Sequence, residues 1–343
     1  MPTADARQHS PGKSAFGVRI AGSGSAVPDR VLRNADFEKM FDTSDEWIVQ
    51  RTGIHERRVC TPGVESNYTL SLKAIQRALD NAGMKGSDLD LIILASVTTE
   101  MTCPSNACRI ARELGAAPAA AFDLVAACSG FVYALNVADS LIRSGRHRAV
   151  GVIGCDTMST AVDYTDRSVS ILFGDAAGSV ILVRDDEDPT VGCQYQLLQA
   201  DAATWESLYI PRKQQDVPAS DRDNPIQLGC LRMNGREVFR FAVTKFREVI
   251  EDALTKTGLT VNDISQFVCH QSNIRIIEAA KEKIGLPDDK VHVNIDRFGN
   301  CSAGSVGLCF DQLWQAGKIK RGDNVVLVAF GGGLTWASSV WKI

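Results

Sequence analysis

The chain has 343 residues, of which 45% are hydrophobic and 23% are charged. This composition is ordinary for a globular protein of one large or two average domains, and it excludes extensive disorder. The 37 Lys and Arg residues against 41 Asp and Glu give a net charge of −4. The chain therefore lacks the excess positive charge that binds nucleic acid or acidic membranes non-specifically, but this balance does not exclude a small basic patch for an acidic partner.

The N-terminal segment is polar, and we expect residues 1–16 to form a flexible tail without a secretory signal. No apolar run reaches the length that a membrane span requires. The ten cysteines include no Cys-x-x-Cys pair, and Cys103 and Cys108 lack the histidine pair of a zinc site. These features predict a cytoplasmic protein with reduced thiols and no metal site.

From Gly17 onward, short apolar runs alternate with amphipathic stretches, which predicts an α/β fold with covered sheets. The predicted buried strands are, in chain order, Leu89–Val97, Ala119–Val125, Ala149–Gly154, Ser179–Val183 and Asn324–Phe330. Apolar residues at helical spacing predict a helix over Phe131–Ile142. The polar stretch Ala200–Gln227 contains three prolines and is typical of a long surface excursion.

Two segments of the first half have counterparts in the second half. Ala78–Ala95 matches Ala253–His270, 175 residues later, and Cys128–Gly145 matches Asn300–Gly317, 172 residues later. Each match is weak, and chance similarity of helix–strand units is the alternative. Two matches in the same order and with nearly the same offset nevertheless predict a duplication, with halves over residues 17–186 and 187–343.

Three residues are candidates for catalysis. Cys128 lies between a predicted strand and a predicted helix, where the helix N-terminus favours a thiolate and lowers the pKa of the thiol. His270 follows an apolar strand, and Asn300 lies in a Gly/Ser-rich turn that opens a helix. Together, an imidazole and a carboxamide can hydrogen-bond one thioester oxygen and stabilise an enolate. Each residue alone is more often structural, but packing of related halves should bring the three together.

A run of three glycines, Gly331 to Gly333, follows the last predicted strand. Such a loop exposes backbone N–H groups that can cradle a phosphate or stabilise an oxyanion. It is not a P-loop, because no Gly-Lys-Ser/Thr sequence follows, and Gly22-x-Gly24 lacks the third glycine of a dinucleotide-binding fingerprint.

Five motifs in the same order give the chain a close resemblance to β-ketoacyl-acyl-carrier-protein synthase III, the initiating condensing enzyme of bacterial type II fatty-acid synthesis. The resemblance runs from about Gly17 to Ile343. The motifs are Asp42–Ile54 (DTSDEWIVQRTGI), Ala126–Gly130 (AACSG), His270–Asn273 (HQSN), Gly299–Ala303 (GNCSA) and Ala329–Gly333 (AFGGG).

This resemblance implies a thiolase-like α/β fold, with two duplicated βαβ-rich halves in a five-layered α-β-α-β-α arrangement. It implies that Cys128 takes an acyl group from acyl-CoA, with the backbone N–H groups of Cys128 and Gly332 as the oxyanion hole. His270 and Asn300 would bind the thioester of malonyl-acyl-carrier protein and stabilise the carbanion formed on loss of CO2. Phe330 would be the aromatic residue beside the nucleophile.

The resemblance also implies ligand contacts. Trp47 and Arg167 match the pair that stacks on the CoA adenine, Arg51 matches a CoA phosphate contact, and Asn273 is assigned to CoA binding. Planar indole and guanidinium groups suit such stacking. CoA is a substrate here, so no cofactor is expected.

Three further positions concern partners. Arg275 and Arg240 match basic positions that meet the acidic carrier protein. Cys103 stands where the family often carries Phe or Thr closing the primer pocket across the interface of a homodimer. A small residue there would also admit a longer or branched primer, so we do not expect strict specificity for acetyl.

Three other readings remain. Cys–His–Asn in this order is also the triad of papain-like proteases, but their characteristic sequence around the cysteine and a secretory signal are missing. A specialised condensing enzyme or acyltransferase of secondary metabolism would share the triad, so the sequence separates it poorly. A non-catalytic acyl-binding protein would not need the intact set of Cys128, His270 and Asn300.

Overall fold

The computed structural model describes residues 15–343, so most of the tail expected over residues 1–16 lies outside the described residues. The strands are β1 (Gly17–Ala26), β2 (Val31–Arg33), β3 (Glu56–Arg58), β4 (Leu91–Ala95), β5 (Ala120–Leu124), β6 (Ala149–Thr157), β7 (Asp175–Asp185), β8 (Gly192–Ala200), β9 (Leu208–Tyr209), β10 (Arg232–Met233), β11 (Gln266–Cys269), β12 (Asn324–Gly331) and β13 (Thr335–Lys342).

The α-helices are α1 (Asn34–Phe37), α2 (Asp45–Thr52), α3 (Asn67–Ala82), α4 (Asn106–Glu113), α5 (Gly130–Arg143), α6 (Arg167–Ser170), α7 (Gly235–Thr257), α8 (Ile274–Ile284), α9 (Ile295–Phe298) and α10 (Gly304–Gln315). Short 3-10 turns cover Gly86–Asp88, Ala127–Ser129, Met158–Thr160, Ala202–Ser207, Gln214–Asp216, Ala219–Asp221, Val261–Asp263 and Asp288–Lys290.

Two sheets share one topology. The first has the strand order β1-β7-β6-β4-β5, and the second has β8-β13-β12-β11. In both sheets the first two pairings are antiparallel and the next is parallel. Val291 bridges Phe267 of β11 in parallel, as β5 pairs with β4. This correspondence confirms the predicted α/β fold with duplicated halves; a domain boundary between residues 186 and 187 stays a prediction.

The repeated segments form equivalent units. α3 ends at the left-handed Gly83 and leads through a 3-10 turn into β4, and α7 ends at the left-handed Gly258 and leads through a 3-10 turn into β11. α5 and α10 are each followed by a glycine with positive φ, Gly145 and Gly317. Glycine adopts this conformation without steric cost, so the same helix ending occurs in both halves.

The helices and sheets stack in five layers. α3 packs on the outer face of the first sheet, α5 and α10 lie between the sheets, and α7 packs on the outer face of the second. The core between the sheets includes Phe131 and Leu135 of α5 and Phe310 and Leu313 of α10. Because sheets cover both sides of α5 and α10, these helices bury most of their residues, whereas α3 and α7 bury one stripe.

The excursion after β8 differs partly from expectation. Much of Ala200–Gln227 is exposed as predicted, but Leu208, Tyr209 and Ile210 are half-buried and line an internal cavity. β9 pairs with β10 there, which fixes this wall against the chain before α7. None of the described helices combines the length and apolar character needed to cross a membrane.

Candidate active site

A cavity of about 540 Å³ lies where α5, β11, β12 and the Asn300 turn meet. Cys128, His270, Asn300, Phe330 and Gly332 all line it, so the structure brings these sequence-predicted residues together. Most of the remaining wall is apolar and includes Val97, Met158, Leu172, Phe173, Leu208, Leu231, Met233 and Val238. An apolar wall of this kind suits an aliphatic ligand.

Cys128 lies in the tight turn between β5 and α5. The preceding Ala127 has a φ of +47°, which an L-residue rarely adopts, so the surrounding structure holds the turn in a strained conformation. The Cys128 side chain is 8% exposed, and its Sγ lies 3.3 Å from Oγ of Ser302. The nucleophile candidate is therefore buried at the start of a helix and faces a hydroxyl.

The expected lowering of the Cys128 pKa is not what the structure gives. Burial raises the pKa of this thiol to about 12, the Ser302 hydroxyl acts in the opposite direction, and the charge of Asp156 raises it further. Desolvation disfavours the thiolate more strongly than nearby groups favour it. The thiol is therefore neutral at rest and has to lose its proton as it attacks.

His270 follows β11 and is 1% exposed. Its ring meets the edge or face of Phe330 with the ring centroids 5.6 Å apart. Burial lowers the pKa of His270 to about 3, so the imidazole is neutral at physiological pH. Among the described residues its Nδ1 has no hydrogen-bond partner, and a neutral imidazole carries one N–H that can donate a hydrogen bond without bringing in a charge.

Asn300 precedes α10 and forms an isolated bridge with Phe173. Its Oδ1 accepts a hydrogen bond of 2.9 Å from the backbone N–H of Ser302. That bond orients the carboxamide, and the Nδ2 amino group is then available as a donor to a ligand in the cavity. The cavity thus offers two neutral donor groups, from His270 and Asn300.

The glycine run lies against the Cys128 turn. A Cβ added to Gly331 would lie only 2.6 Å from the backbone nitrogen of Cys128, and one added to Gly332 would lie 3.6 Å from Cβ of Ala127. Only glycine allows this approach of β12 to the nucleophile. The end of β12 therefore packs directly against the backbone of the Cys128 turn.

Trp47, Arg51 and Arg167 form one surface cluster. The guanidinium carbons of Arg51 and Arg167 lie 5.4 and 4.9 Å from the Trp47 ring centroid. Arg167 also donates a hydrogen bond to the carbonyl of Asp42. Arg167 thus stacks on the indole ring itself, and a planar base would have to take its place or insert between the two groups.

Asn273 joins this cluster to the cavity wall. Its Oδ1 caps α8 by accepting from the backbone N–H of Arg275, and its Nδ2 donates to the carbonyl of Arg51 at 3.0 Å. The Nδ2 bond therefore ties the end of α2 to the start of α8, and Asn273 also lines the cavity.

The remaining predicted residues lie outside the cavity. Arg275 is exposed, with its guanidinium carbon 5.5 Å from the ring centroid of Phe239, a cavity-lining residue, and Arg240 is exposed on α7. Cys103 is exposed in the loop before α4 and does not reach the cavity within one chain. Its role across a dimer interface stays a prediction.

Sequence reasoning missed two residues of the site, Ser302 and Asp156. Ser302 contacts the side chains of both Cys128 and Asn300. Asp156 is fully buried in β6 and accepts hydrogen bonds from the residues around the site. A signal existed for the second: Asp156 is the one charged residue in the buried run AVGVIGCDT of β6.

Comparison with known proteins agrees with this geometry. Family models described as 3-oxoacyl-[acyl-carrier-protein] synthase III match residues 122–201 and, for its C-terminal part, residues 254–343. The β-ketoacyl-[acyl-carrier-protein] synthase III of Caldanaerobacter subterraneus subsp. tengcongensis is 44% identical over 323 residues, which are 94% of this chain and 97% of that protein.

Solved structures match the chain over a similar share of its length. The crystal structure of 3-oxoacyl-[acyl-carrier-protein] synthase III from Aquifex aeolicus has a TM-score of 0.87 and 42% identity, covering 95% of this chain and all of that one. The priming β-ketosynthase of a polyketide biosynthetic pathway has a TM-score of 0.88 and 33% identity, covering 98% of both chains.

These similarities extend over nearly the whole length of the chains compared, so they are not the sharing of a single domain. The two matched segments contain Cys128 in one case and His270 and Asn300 in the other. The resemblance drawn from the five motifs is thereby confirmed, and the chain belongs to the 3-oxoacyl-[acyl-carrier-protein] synthase III family of condensing enzymes.

Proposed function

We propose that the enzyme condenses an acyl-CoA primer, acetyl-CoA first of all, with malonyl-acyl-carrier protein and so initiates fatty-acid synthesis. In the first half-reaction the sulfur of Cys128 attacks the acyl carbonyl. A new S–C bond forms to Cys128, the bond to the CoA sulfur breaks, and CoA leaves as the thiol. Backbone N–H groups of Cys128 and Gly332 stabilise the oxyanion that precedes this departure.

In the second half-reaction, malonyl-acyl-carrier protein loses CO2, and the electron pair of the broken bond passes into its thioester carbonyl. His270 and Asn300 donate hydrogen bonds to that oxygen and so stabilise the enolate. The enolate carbon then attacks the acyl group on Cys128, and Cys128 leaves as a thiolate that takes up a proton from solvent to restore the resting thiol. The product is 3-oxoacyl-acyl-carrier protein, and the chemistry calls for no metal, flavin or nicotinamide.

The observation that carries this proposal is the meeting of one buried thiol and two neutral hydrogen-bond donors in a single apolar cavity. Hydrolysis by a papain-like mechanism would require a histidine that becomes charged beside its cysteine, whereas burial lowers the pKa of His270 to about 3. A donor that stays neutral suits a developing enolate better than it suits an ion pair.

For substrate binding we propose that Trp47 and Arg167 stack on the CoA adenine and that Arg51 contacts a CoA phosphate. Asn273 positions Arg51 through its bond to the Arg51 carbonyl. Arg275 and Arg240 are proposed to meet the acidic carrier protein, since both are exposed and Arg275 lies beside a cavity-lining residue.

We further propose that the enzyme works in the cytoplasm as a homodimer. β5 is an edge strand of the first sheet, and it exposes Phe122 at 38%, with Val125 at 76% directly after it. An apolar edge strand is a ready site for pairing with a second copy, which would bring Cys103 of the nearby loop towards the neighbouring protomer. Ten free cysteines fit a reducing compartment.

The proposal is tested by mixing the protein with acyl-CoAs of graded chain length and measuring intact mass, followed by digestion to locate the adduct. We expect an acetyl adduct on Cys128 that malonyl-acyl-carrier protein discharges with release of CO2. Adducts from longer or branched acyl groups alone would keep the mechanism and change the primer. An adduct that malonyl-acyl-carrier protein leaves in place would favour an acyltransferase of secondary metabolism, and the absence of any adduct would refute the nucleophile.

A further inference from the structure

Ser302 is the one residue of the site with hydrogen bonds to two of the proposed catalytic side chains among the described residues. Its backbone N–H donates to Oδ1 of Asn300 at 2.9 Å. Its hydroxyl oxygen lies 3.3 Å from Sγ of Cys128, which donates to it in the resting state. The two contacts come from different groups of Ser302, so a substitution can remove one and keep the other.

The segment that carries Ser302 is anchored by a buried carboxylate. Asp156 is fully buried, and its Oδ2 accepts a hydrogen bond of 3.1 Å from the backbone N–H of Ala303. Its Oδ1 accepts from three donors of the loop after β4, namely Ser96, Val97 and Thr98. Besides these four donors, the Ser302 hydroxyl also interacts with this carboxyl group, so Asp156 holds residues 302 and 303 in place.

The backbone of Ser302 has an unusual conformation. Among the described residues other than glycine, only Ser302 and Ala127 have positive φ, and both have a φ of +47°. This conformation is strained for any residue that carries a side chain. The bonds around Ser302 therefore hold its backbone, and with it the hydroxyl, in one place.

We propose that Ser302 is a positioning residue for the nucleophile. Its hydroxyl accepts the hydrogen bond of the resting Cys128 thiol, which aims the sulfur into the cavity, and it turns to donate to the sulfur when the thiolate forms. The inference rests on the proposed function of Cys128, but it concerns the thiol itself and holds for any electrophile that reaches the cavity.

The direction of the charge effects agrees with this role. The Ser302 hydroxyl lowers the pKa of Cys128 against the burial that raises it. A hydrogen bond to a charged group contributes enough that its loss changes the thiolate population by about tenfold or more. Because the thiolate is the reactive form, the rate of thiol modification at fixed pH should fall by the same factor.

The test is alkylation of Cys128 by iodoacetamide at pH 8, followed by mass spectrometry of the Cys128 peptide so that the exposed cysteines do not interfere. We expect Ser302→Ala and Ser302→Gly to slow alkylation about tenfold alike. Ser129→Ala is the matched control, because the Ser129 hydroxyl adjoins the nucleophile but bonds the Thr335 carbonyl. It should leave the alkylation rate unchanged.

A second readout separates positioning from a general disturbance. Ser302→Ala keeps the N–H that orients Asn300, so CO2 release from malonyl-acyl-carrier protein should stay within about twofold of the wild-type rate, while acylation by acyl-CoA falls about tenfold. Unchanged alkylation in Ser302→Ala, full alkylation in Ser302→Gly, or a parallel fall of decarboxylation would each overturn the proposal. If alkylation depends on Ser302 but wild-type enzyme accepts no acyl-CoA, the proposed function fails and the positioning role stands.

Discussion

The neutral state of His270 should appear in how stability depends on pH. In the folded chain burial lowers the pKa of His270 to about 3, against 6.5 for a free side chain. Between these values the unfolded chain binds a proton that the folded chain does not. The contribution of His270 to the free energy of unfolding is therefore fully present above pH 6.5. It is lost as the pH falls towards 3, by about 1.4 kcal/mol per pH unit.

The perturbation is a change from pH 7.5 to pH 5 in wild type and in His270→Gln, which keeps a polar side chain but cannot titrate. Over this interval the wild type should lose about 2 kcal/mol of unfolding free energy more than the variant. Urea unfolding followed by tryptophan fluorescence at several pH values gives both curves. His292, whose pKa is also lowered by burial, is present in both proteins and cancels.

Two results would refute this reasoning. The first is a constant separation, within about 0.5 kcal/mol, between the stability curves of wild type and His270→Gln, which would mean that His270 titrates alike in the folded and unfolded chain. The second is an inflection near pH 6.5 in the rate at which wild type decarboxylates malonyl-acyl-carrier protein, if that inflection disappears in His270→Gln and in no other variant. A donor that is already neutral predicts a flat profile down to about pH 5.

Three further outcomes test other parts of the site. Asn300→Ala should lower CO2 release about 100-fold and leave acylation of Cys128 intact, measured as two separate half-reactions. Trp47→Ala should raise KM for acyl-CoA about tenfold with kcat nearly unchanged, because one stacking face is lost while the cavity is untouched. Gly331→Ala should slow acylation of Cys128 at least tenfold without unfolding the chain, since the added Cβ would lie 2.6 Å from the Cys128 nitrogen. Intact mass measures the acylation, and circular dichroism checks that the chain stays folded.

The fold was largely accessible from sequence because its signals are local. The predicted strand Ala119–Val125 differs from β5 by one residue at each end, and the predicted helix Phe131–Ile142 from α5 likewise. The internal repeat could be detected because helix endings, 3-10 turns and strand starts recur in the second half at nearly the same spacing. The place of Leu208–Ile210 in the cavity wall was not predicted, because three apolar residues within a polar stretch show no periodicity.

The catalytic site was accessible only in part. Cys128, His270 and Asn300 follow strands or open helices, which are positions where side chains converge, and motif resemblance supplied their roles. The predicted lowering of the Cys128 pKa was wrong, because a helix N-terminus can be recognised in the sequence whereas the extent of burial cannot. Ser302 was missed for a similar reason: its contact with a residue 174 positions away exists only in the folded chain.

The two residues with strained backbone, Ala127 and Ser302, are held in place by contacts between segments that are distant in the sequence. Ala127 precedes the nucleophile and Ser302 faces it, and each belongs to the corresponding turn of one half, before α5 and before α10. Strain of this kind persists only where surrounding bonds over-determine the backbone. Asp156 supplies such bonds beside Ser302, and the close approach of Gly331 constrains the Cys128 turn. Duplication thus provided two equivalent turns, of which the turn before α5 carries the nucleophile and the turn before α10 carries Asn300 and Ser302.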